Sequence, residues 1–212
     1  MPTVADYLAE QLKQVGITIV YGLPGGENVE ILDAIRRQNI EFMLVKNESS
    51  AIYMAGTHAR LTGGIGVALT TLGPGATNAY VGLAHAYLDR EPVLLITAQT
   101  DPHLIGTHTH QVLDLQACFS PITRFTTELS SDNAVSSIAH GISMLQSGRP
   151  CPVHLSINNR VALQNITQPQ SPPISNQPTH DNLNDVLEIM RALINTKQKP
   201  IIVVGLGLEP SQ

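Results

Sequence analysis

The sequence predicts an α/β protein: a doubly wound, mainly parallel sheet with helices on both faces, followed by the start of a second α/β domain. Three observations carry that prediction. Segments of helical period alternate with short apolar segments along residues 3–157. The apolar segments, such as GVALTT (66–71) and PVLLIT (92–97), are apolar at both parities, as strands covered on both faces are. Between residues 164 and 180 the charge disappears and prolines accumulate, which marks a break in organisation.

Val4, Leu8, Leu12 and Val15 recur at helical spacing after Thr3, a plausible N-cap, and Gly16 closes the segment, so the first helix covers residues 3–15. A strand over Thr18–Tyr21 follows. The alternation then gives a helix near 27–38, a strand at 42–45, a helix at 48–61, a strand at 66–71, a helix at 75–88 and a strand at 93–97. Crossovers between parallel strands are expected to be right-handed. Residues 101–121 (DPHLIGTHTHQVLDLQACFSP) show no clean period, and a loop of that length in a compact domain is read as a site loop. A strand over Ile122–Thr126, a helix over about 132–147 and a strand over Val153–Ile157 complete the sheet.

The first domain is therefore expected at 1–163 and an extended linker at 164–180, with Pro169, Pro172, Pro173 and Pro178. Residues 181–212 hold one amphipathic helix (Leu183, Leu187, Met190, Ile194) and one apolar strand (Ile201–Val204). One helix and one strand cannot bury a core. This tail reads as the opening of a second, incomplete α/β domain, or as an element that packs on the first domain or a partner.

Of 212 residues 42% are hydrophobic and 14% charged, with 12 Lys+Arg against 17 Asp+Glu and a net charge of −5. Scattered basic residues in an acidic chain exclude a surface built to neutralise many phosphates, so nucleic acid is set aside as a partner. No apolar run approaches the roughly 20 residues of a membrane span. The N-terminus is amphipathic with early acids and lacks a leader pattern, so a cytoplasmic location is expected. Cys118 and Cys151 have neither CxxC nor zinc spacing and are expected to be buried thiols.

Three glycine-rich turns follow strands: Gly22-Leu-Pro-Gly-Gly26, Gly73-Pro-Gly75 and Gly205-Leu-Gly207. Such turns let backbone approach a ligand. None completes GxGxxG, because Asn78 and Pro210 stand where the last glycine should be, and GxxxxGK[ST] is absent. Glu48 follows an apolar strand and opens a helix whose first face is small and apolar (Ala51, Ile52, Met54, Ala55, Gly56, Ala59). An acid there sits where ligands bind in open α/β sheets, although glutamate is also common in first turns for the helix dipole alone. His103, His108 and His110 lack an assured third ligand and read as substrate-facing or surface residues, so no metal site is assigned.

The succession YGLPGG (21–26), VKNESSAIYMAGTHARLTG (45–63), TLGPGATN (71–78), REPVLLITAQ (90–99), IGTHTHQ (105–111) and PITRF (121–125) resembles the N-terminal pyrimidine-binding domain of thiamine diphosphate enzymes. The likeness is greatest to the acetolactate synthase, pyruvate oxidase and 2-oxo acid decarboxylase group. It implies a thiamine diphosphate cofactor, a small 2-oxo acid substrate and transferase or lyase chemistry. Glu48 falls at the glutamate that hydrogen-bonds the pyrimidine ring nitrogen and so controls the cofactor's tautomer. Pro24, Gly25 and Gly26 correspond to the turn near the reacting centre, Thr71, Gly73 and Asn78 to the turn beside the pyrimidine pocket, and Gln111 to a glutamine facing the substrate.

Asn47 replaces the group's usual histidine, and His110-Gln111-Val112 replaces Phe-Gln-Glu, so the substrate side differs from a true synthase. The GDG motif and following asparagines that hold Mg²⁺ and the diphosphate are absent from these residues. The resemblance thus implies a half-site that is inactive alone. It would be completed by another domain, in a homodimer or in a separate chain carrying the diphosphate-binding domain. A bound FAD is possible in the group but has no support in these residues. The alternative is an inactive remnant or a binding and dimerisation module of the same fold.

Overall fold

The computed structural model describes residues 1–104, 107, 111–167, 183–196, 201, 203 and 205. They fall in two units, Met1–Ile174 and Ser175–Gln212.

The first unit is a six-stranded, all-parallel sheet among the described residues. Its strands are β1 (Ile19–Gly22), β2 (Glu41–Leu44), β3 (Gly66–Thr70), β4 (Val93–Ala98), β5 (Phe125–Glu128) and β6 (Val153–Ile157), in the order β2-β1-β3-β4-β6-β5. Strands β3, β4 and β6 are buried along their whole length, which is why β3 and β4 are largely apolar at both parities, whereas β6 buries His154 and Ser156 on one of its faces. The helices of the unit are α1 (Val4–Gln14), α2 (Val29–Arg37), α3 (Glu48–Thr62), α4 (Pro74–Asn78), α5 (Tyr80–Leu88), α6 (Leu115–Phe119), α7 (Ala134–Gln146) and α8 (Asn159–Ala162). One core layer joins α1, α2, α7 and α8 to the sheet through Leu8, Leu12, Ile35, Ile138 and Ile142. The other joins α3, α4, α5 and α6 through Ala51, Ile52, Ala76, Leu83 and Phe119. The sheet is thus wound on both faces, as the sequence predicts.

Local chemistry sets the boundaries. Thr3 closes a capping box on α1: its hydroxyl accepts from the Asp6 N–H at 3.1 Å while the Asp6 carboxylate accepts from the Thr3 N–H at 3.4 Å. Helix α3 starts at Asn47, whose side-chain oxygen accepts from the N–H groups of Ser49 and Ser50, and it ends at Gly63 in a left-handed cap (φ 69°).

Three expectations change. The single helix expected at 75–88 breaks at Ala79 into α4 and α5, and the break leaves the Asn78 carbonyl to accept from the Ser49 hydroxyl. The loop at 101–121 contains α6, capped by Asp114 and anchored by the fully buried pair Leu115 and Phe119. Five residues are too few to display a period. The strand expected at 122–126 begins only at Phe125, because Pro121 lies in a 3₁₀ turn over Ser120–Ile122 that seats Ile122 in the core.

Both cysteines are half-buried rather than buried; Cys118 packs against the α3–α6 layer. After Ala162 the chain stays attached to the sheet's own unit: Thr3 and Asn165 form an antiparallel bridge, and the Thr167 N–H donates to the Ser131 carbonyl at 3.2 Å. The remainder of the linker expected to reach 180 lies outside the described residues. In the second unit α9 (Leu183–Thr196) carries exposed Leu187, Ile189, Met190, Leu193 and Ile194. Of the strand expected at Ile201–Val204, Ile202 and Val204 lie outside the described residues, while Ile201 and Val203 are exposed and outside any strand.

Candidate active site

Strand order reverses between β1 and β3, and the turns that leave β1, β2 and β3 meet at this edge of the sheet. In open α/β sheets that crevice is where ligands bind. Glu48 stands there as the first residue of α3, half-buried. Its Oε2 accepts a hydrogen bond from the Asn78 side-chain amide, and the Ser49 hydroxyl donates to the Asn78 carbonyl. Asn78 therefore fixes one oxygen of the carboxylate and ties α3 to the end of α4.

The other oxygen, Oε1, faces backbone. A Cβ on Gly75 would stand 3.4 Å from it and only 2.1 Å from the Thr71 hydroxyl oxygen. A Cβ on Gly25 would stand 2.3 Å from the Thr71 methyl. Gly25, Thr71, Gly75 and Glu48 thus converge on a small region, with the Glu27 carboxylate 3.3 Å from the Cβ position of Gly25. The Gly25 turn is held by Asn28, which is fully buried: its Oδ1 accepts from the Gly25 N–H at 2.9 Å and its Nδ2 donates to the Leu23 carbonyl at 3.2 Å.

Gly73 has φ +53°, and a Cβ on it would meet the Gln111 carbonyl oxygen at 2.4 Å, so the turn after β3 and the site loop lie backbone against backbone. Gln111 itself sits at φ 60°, a left-handed conformation that a non-glycine residue holds only when its surroundings impose it. Pro24 and Gly26 are exposed at the rim. His110 lies outside the described residues.

Gln111 also lines a cleft of about 360 Å³ next to this turn, at the carboxyl ends of β4 and β6, together with Glu27, Gln99, Thr100, Asp101 and Arg160. Gln99 is 6% exposed, accepts from the Thr100 N–H at 2.8 Å and donates to the Leu113 carbonyl at 3.2 Å. Asn159 donates to the Gly26 carbonyl at 2.9 Å, linking α8 to the first glycine turn.

Sequence reasoning missed the hold of Asn78 on Glu48, the Asn28 lock and the Gln99–Arg160 cleft wall. The first two are pairings between turns, for which a single sequence holds no signal. The Gln99 position is signalled only by a larger polar residue directly after a mostly apolar strand.

The geometry can be set beside known proteins. The family described as "Thiamine pyrophosphate enzyme, N-terminal TPP binding domain" matches residues 2–118. The chain is 31% identical over 216 residues to the acetolactate synthase large subunit of Lactococcus lactis, covering 99% of this chain and 38% of the relative. It is 34% identical to the acetolactate synthase of Arthrospira platensis (97% of this chain, 37% of the relative) and 32% identical to acetolactate synthase isozyme 2 large subunit of Escherichia coli (98% and 38%). The chain spans less than two-fifths of the length of each of these relatives. With more than half of its residues matched, and with the strand-turn edge built around Glu48, the chain belongs to the thiamine pyrophosphate enzyme family through its N-terminal TPP binding domain.

Proposed function

We propose that this chain forms the pyrimidine side of a thiamine diphosphate site in an acetolactate synthase-like cytoplasmic enzyme that decarboxylates or joins small 2-oxo acids. The observation that carries the proposal is the Glu48 carboxylate at the sheet's switch point, one oxygen held by Asn78 and the other beside the glycine turn at Gly75 and the Thr71 side chain. The residues fit the group. A Cβ at Gly25 or Gly75 would overlap the Thr71 side chain, so the glycines let both turns close on Thr71 beside a carboxylate able to hold a proton against an aromatic ring nitrogen.

When bound, the cofactor supplies the nucleophilic carbon and the electron sink for the 2-oxo acid. The chain's part is proton control. Glu48 Oε1 holds the proton at the pyrimidine ring nitrogen, Asn78 keeps Oε2 turned away, and Thr71 with the Gly25 turn limits the position of the ring. Diphosphate and Mg²⁺ are held by a further domain, in a homodimer or in a separate chain. Exposed Tyr53, Met54, Val81 and Leu88 on α3 and α5 support a cover of that kind, because these helices begin beside Glu48 and Asn78. Gln111, with His110, faces the substrate.

Calorimetric titration of the full chain tests the half-site. The aminopyrimidine fragment of thiamine and intact thiamine diphosphate should bind the chain alone with affinities within a few-fold, without a gain from Mg²⁺. Mixing with the polypeptide that carries the diphosphate domain should then tighten only the intact cofactor. In that assembly Glu48→Gln should lower kcat by about 10²-fold or more, since it keeps the volume and removes the proton. Tight Mg²⁺-dependent binding by the chain alone would place the diphosphate site within these residues. No pyrimidine binding in either sample would leave a fold without the chemistry.

A further inference from the structure

A second polar cluster lies at the amino edge of the sheet, at the opposite end of α3 from Glu48. His85 and Asp89 come from the last turn of α5 and its cap, and Glu91 comes from the approach to β4. One potential ligand atom from each lies within 4.8 Å of the other two, and His85 Nε2 is 3.5 Å from Asp89 Oδ2. The Tyr53 ring packs edge-on against the imidazole, with centroids 5.2 Å apart.

Glu91 is the unusual member. It is 4% exposed, and its Oε2 is buried with no hydrogen-bond partner among the described residues. Its Oε1 has the Arg60 guanidinium at 3.8 Å, beyond hydrogen-bond reach. A buried carboxylate with an unpartnered oxygen is unfavourable and calls for an explanation. Burial pushes the Glu91 carboxyl up, while His85 and Arg60 pull it down. Helix α3 makes room for the group: a Cβ on Gly56 would stand 2.0 Å from Glu91 Oε2. A glycine inside a helix is itself unfavourable, so the chain gives up helix propensity to seat an acid that it leaves incompletely paired.

We propose that His85, Asp89 and Glu91 bind one divalent transition-metal cation of zinc type. One imidazole and two carboxylates are a borderline N/O donor set suited to zinc rather than to magnesium, and three ligands leave a position for water. Bonds of about 2.1 Å at a tetrahedral angle place donor atoms about 3.4 Å apart, so the His85–Asp89 pair is already at that spacing and the widest pair must close by up to about 1.4 Å. His85 and Asp89 are partly exposed at a helix end and free to make that adjustment. The bound cation would clip the end of α5 to the start of β4, giving Glu91 the partner it lacks. Arg60 opposes it by charge.

Full chain stripped with a chelator and titrated with ZnCl₂ in excess MgCl₂ tests the site, with Co²⁺ as a spectroscopic probe of coordination. One equivalent should bind and raise the unfolding temperature. Asp89→Asn, at a partly exposed helix cap that the fold tolerates, and Glu91→Gln should each weaken binding by about tenfold or more, and Arg60→Gln should tighten it. His108→Ala, which removes half of the HxH pair in the site loop, should leave zinc affinity unchanged. Absence of binding, binding that survives both Asp89→Asn and Glu91→Gln, or binding lost with His108→Ala would overturn the proposal.

Discussion

His154 makes a quantitative prediction about pH and stability. The side chain lies in β6, fully buried, between Thr97 of β4 and Thr126 of β5. Its Nε2 is 2.9 Å from the Thr97 hydroxyl and its Nδ1 2.7 Å from the Thr126 hydroxyl, and its ring rests on Phe119 at 4.5 Å. Two hydroxyls satisfy a neutral imidazole, one as donor and one as acceptor, but neither compensates a positive charge. Burial therefore pulls the histidine down to about 3.

An unfolded histidine titrates near 6.5. As pH falls below that value the unfolded chain takes up a proton that the folded chain refuses, so stability is full above about pH 6.5 and declines down to about pH 3. At 1.36 kcal/mol per unit the total comes to roughly 5 kcal/mol, of which about 2 kcal/mol falls between pH 7 and pH 5. Glu91 and Glu128, both raised by burial, act with the opposite sign: their contribution is present at low pH and lost as pH rises through their folded values. The measurement is accordingly a difference. Urea unfolding of the full chain and of His154→Asn, followed by circular dichroism between pH 5 and 7, should give a steeper loss on acidification in the parent chain by about 2 kcal/mol. Parallel profiles for the two proteins would refute the reasoning.

Three further substitutions separate chemistry from architecture. Asn78→Ala should leave stability within about 0.5 kcal/mol, since the residue is exposed, yet lower kcat of the assembled enzyme about ten- to hundredfold through the loss of a charged hydrogen bond worth about 1.5–3 kcal/mol. Gly22→Ala should destabilise by about 3 kcal/mol, because its Cβ would meet the Leu69 carbonyl oxygen at 2.0 Å across the β1–β3 pairing and backbone cannot yield; Gly26→Ala, with nothing within 4 Å, should be near neutral in the same urea titration.

The fold was legible because its elements are long and periodic. Alternation and two-sided apolarity placed all six strands of the first unit to within a few residues, and Asn47 with Glu48 marked the start of α3. What failed was short or set by packing. Helix α6 occupies five residues, α8 only four, and the break at Ala79 reflects a side-chain and carbonyl pairing with Ser49 and Glu48 that lies about 30 positions away in the chain. At the candidate site the sequence singles out Glu48, Thr71 and Asn78 one by one, and their contacts with one another are not legible in it. Asn47, taken as a change on the substrate side, caps α3 with its side-chain oxygen. Asn78, taken as a pocket residue, bonds the very carboxylate that the chemistry would use.

The glycines show why a motif read as a unit can hide separate jobs. In YGLPGG, Gly22 is required by β-sheet packing, Gly25 by the approach of Thr71, and Gly26 by nothing within 4 Å of its Cβ position. In TLGPGATN, Gly73 is required by its backbone angle and the Gln111 carbonyl, whereas Gly75 is required by Thr71 and lies near Glu48. A methyl group on Gly25 or on Gly75 would overlap the same threonine side chain. Thr71 therefore stands at the centre of the arrangement, although neither its residue type nor its exposure distinguishes it from any other strand-end threonine. Its importance is positional. The turn after β1 and the turn after β3 come together on it because the two strands are neighbours at the switch point, and the chain needs glycine in both turns to let them meet. A carboxylate arriving from β2 at the same edge then lies beside the Thr71 side chain, with its Oε1 3.4 Å from the Cβ position of Gly75. Turns packed this closely hold the carboxylate in place, as the proposed role of Glu48 at a ring nitrogen would require.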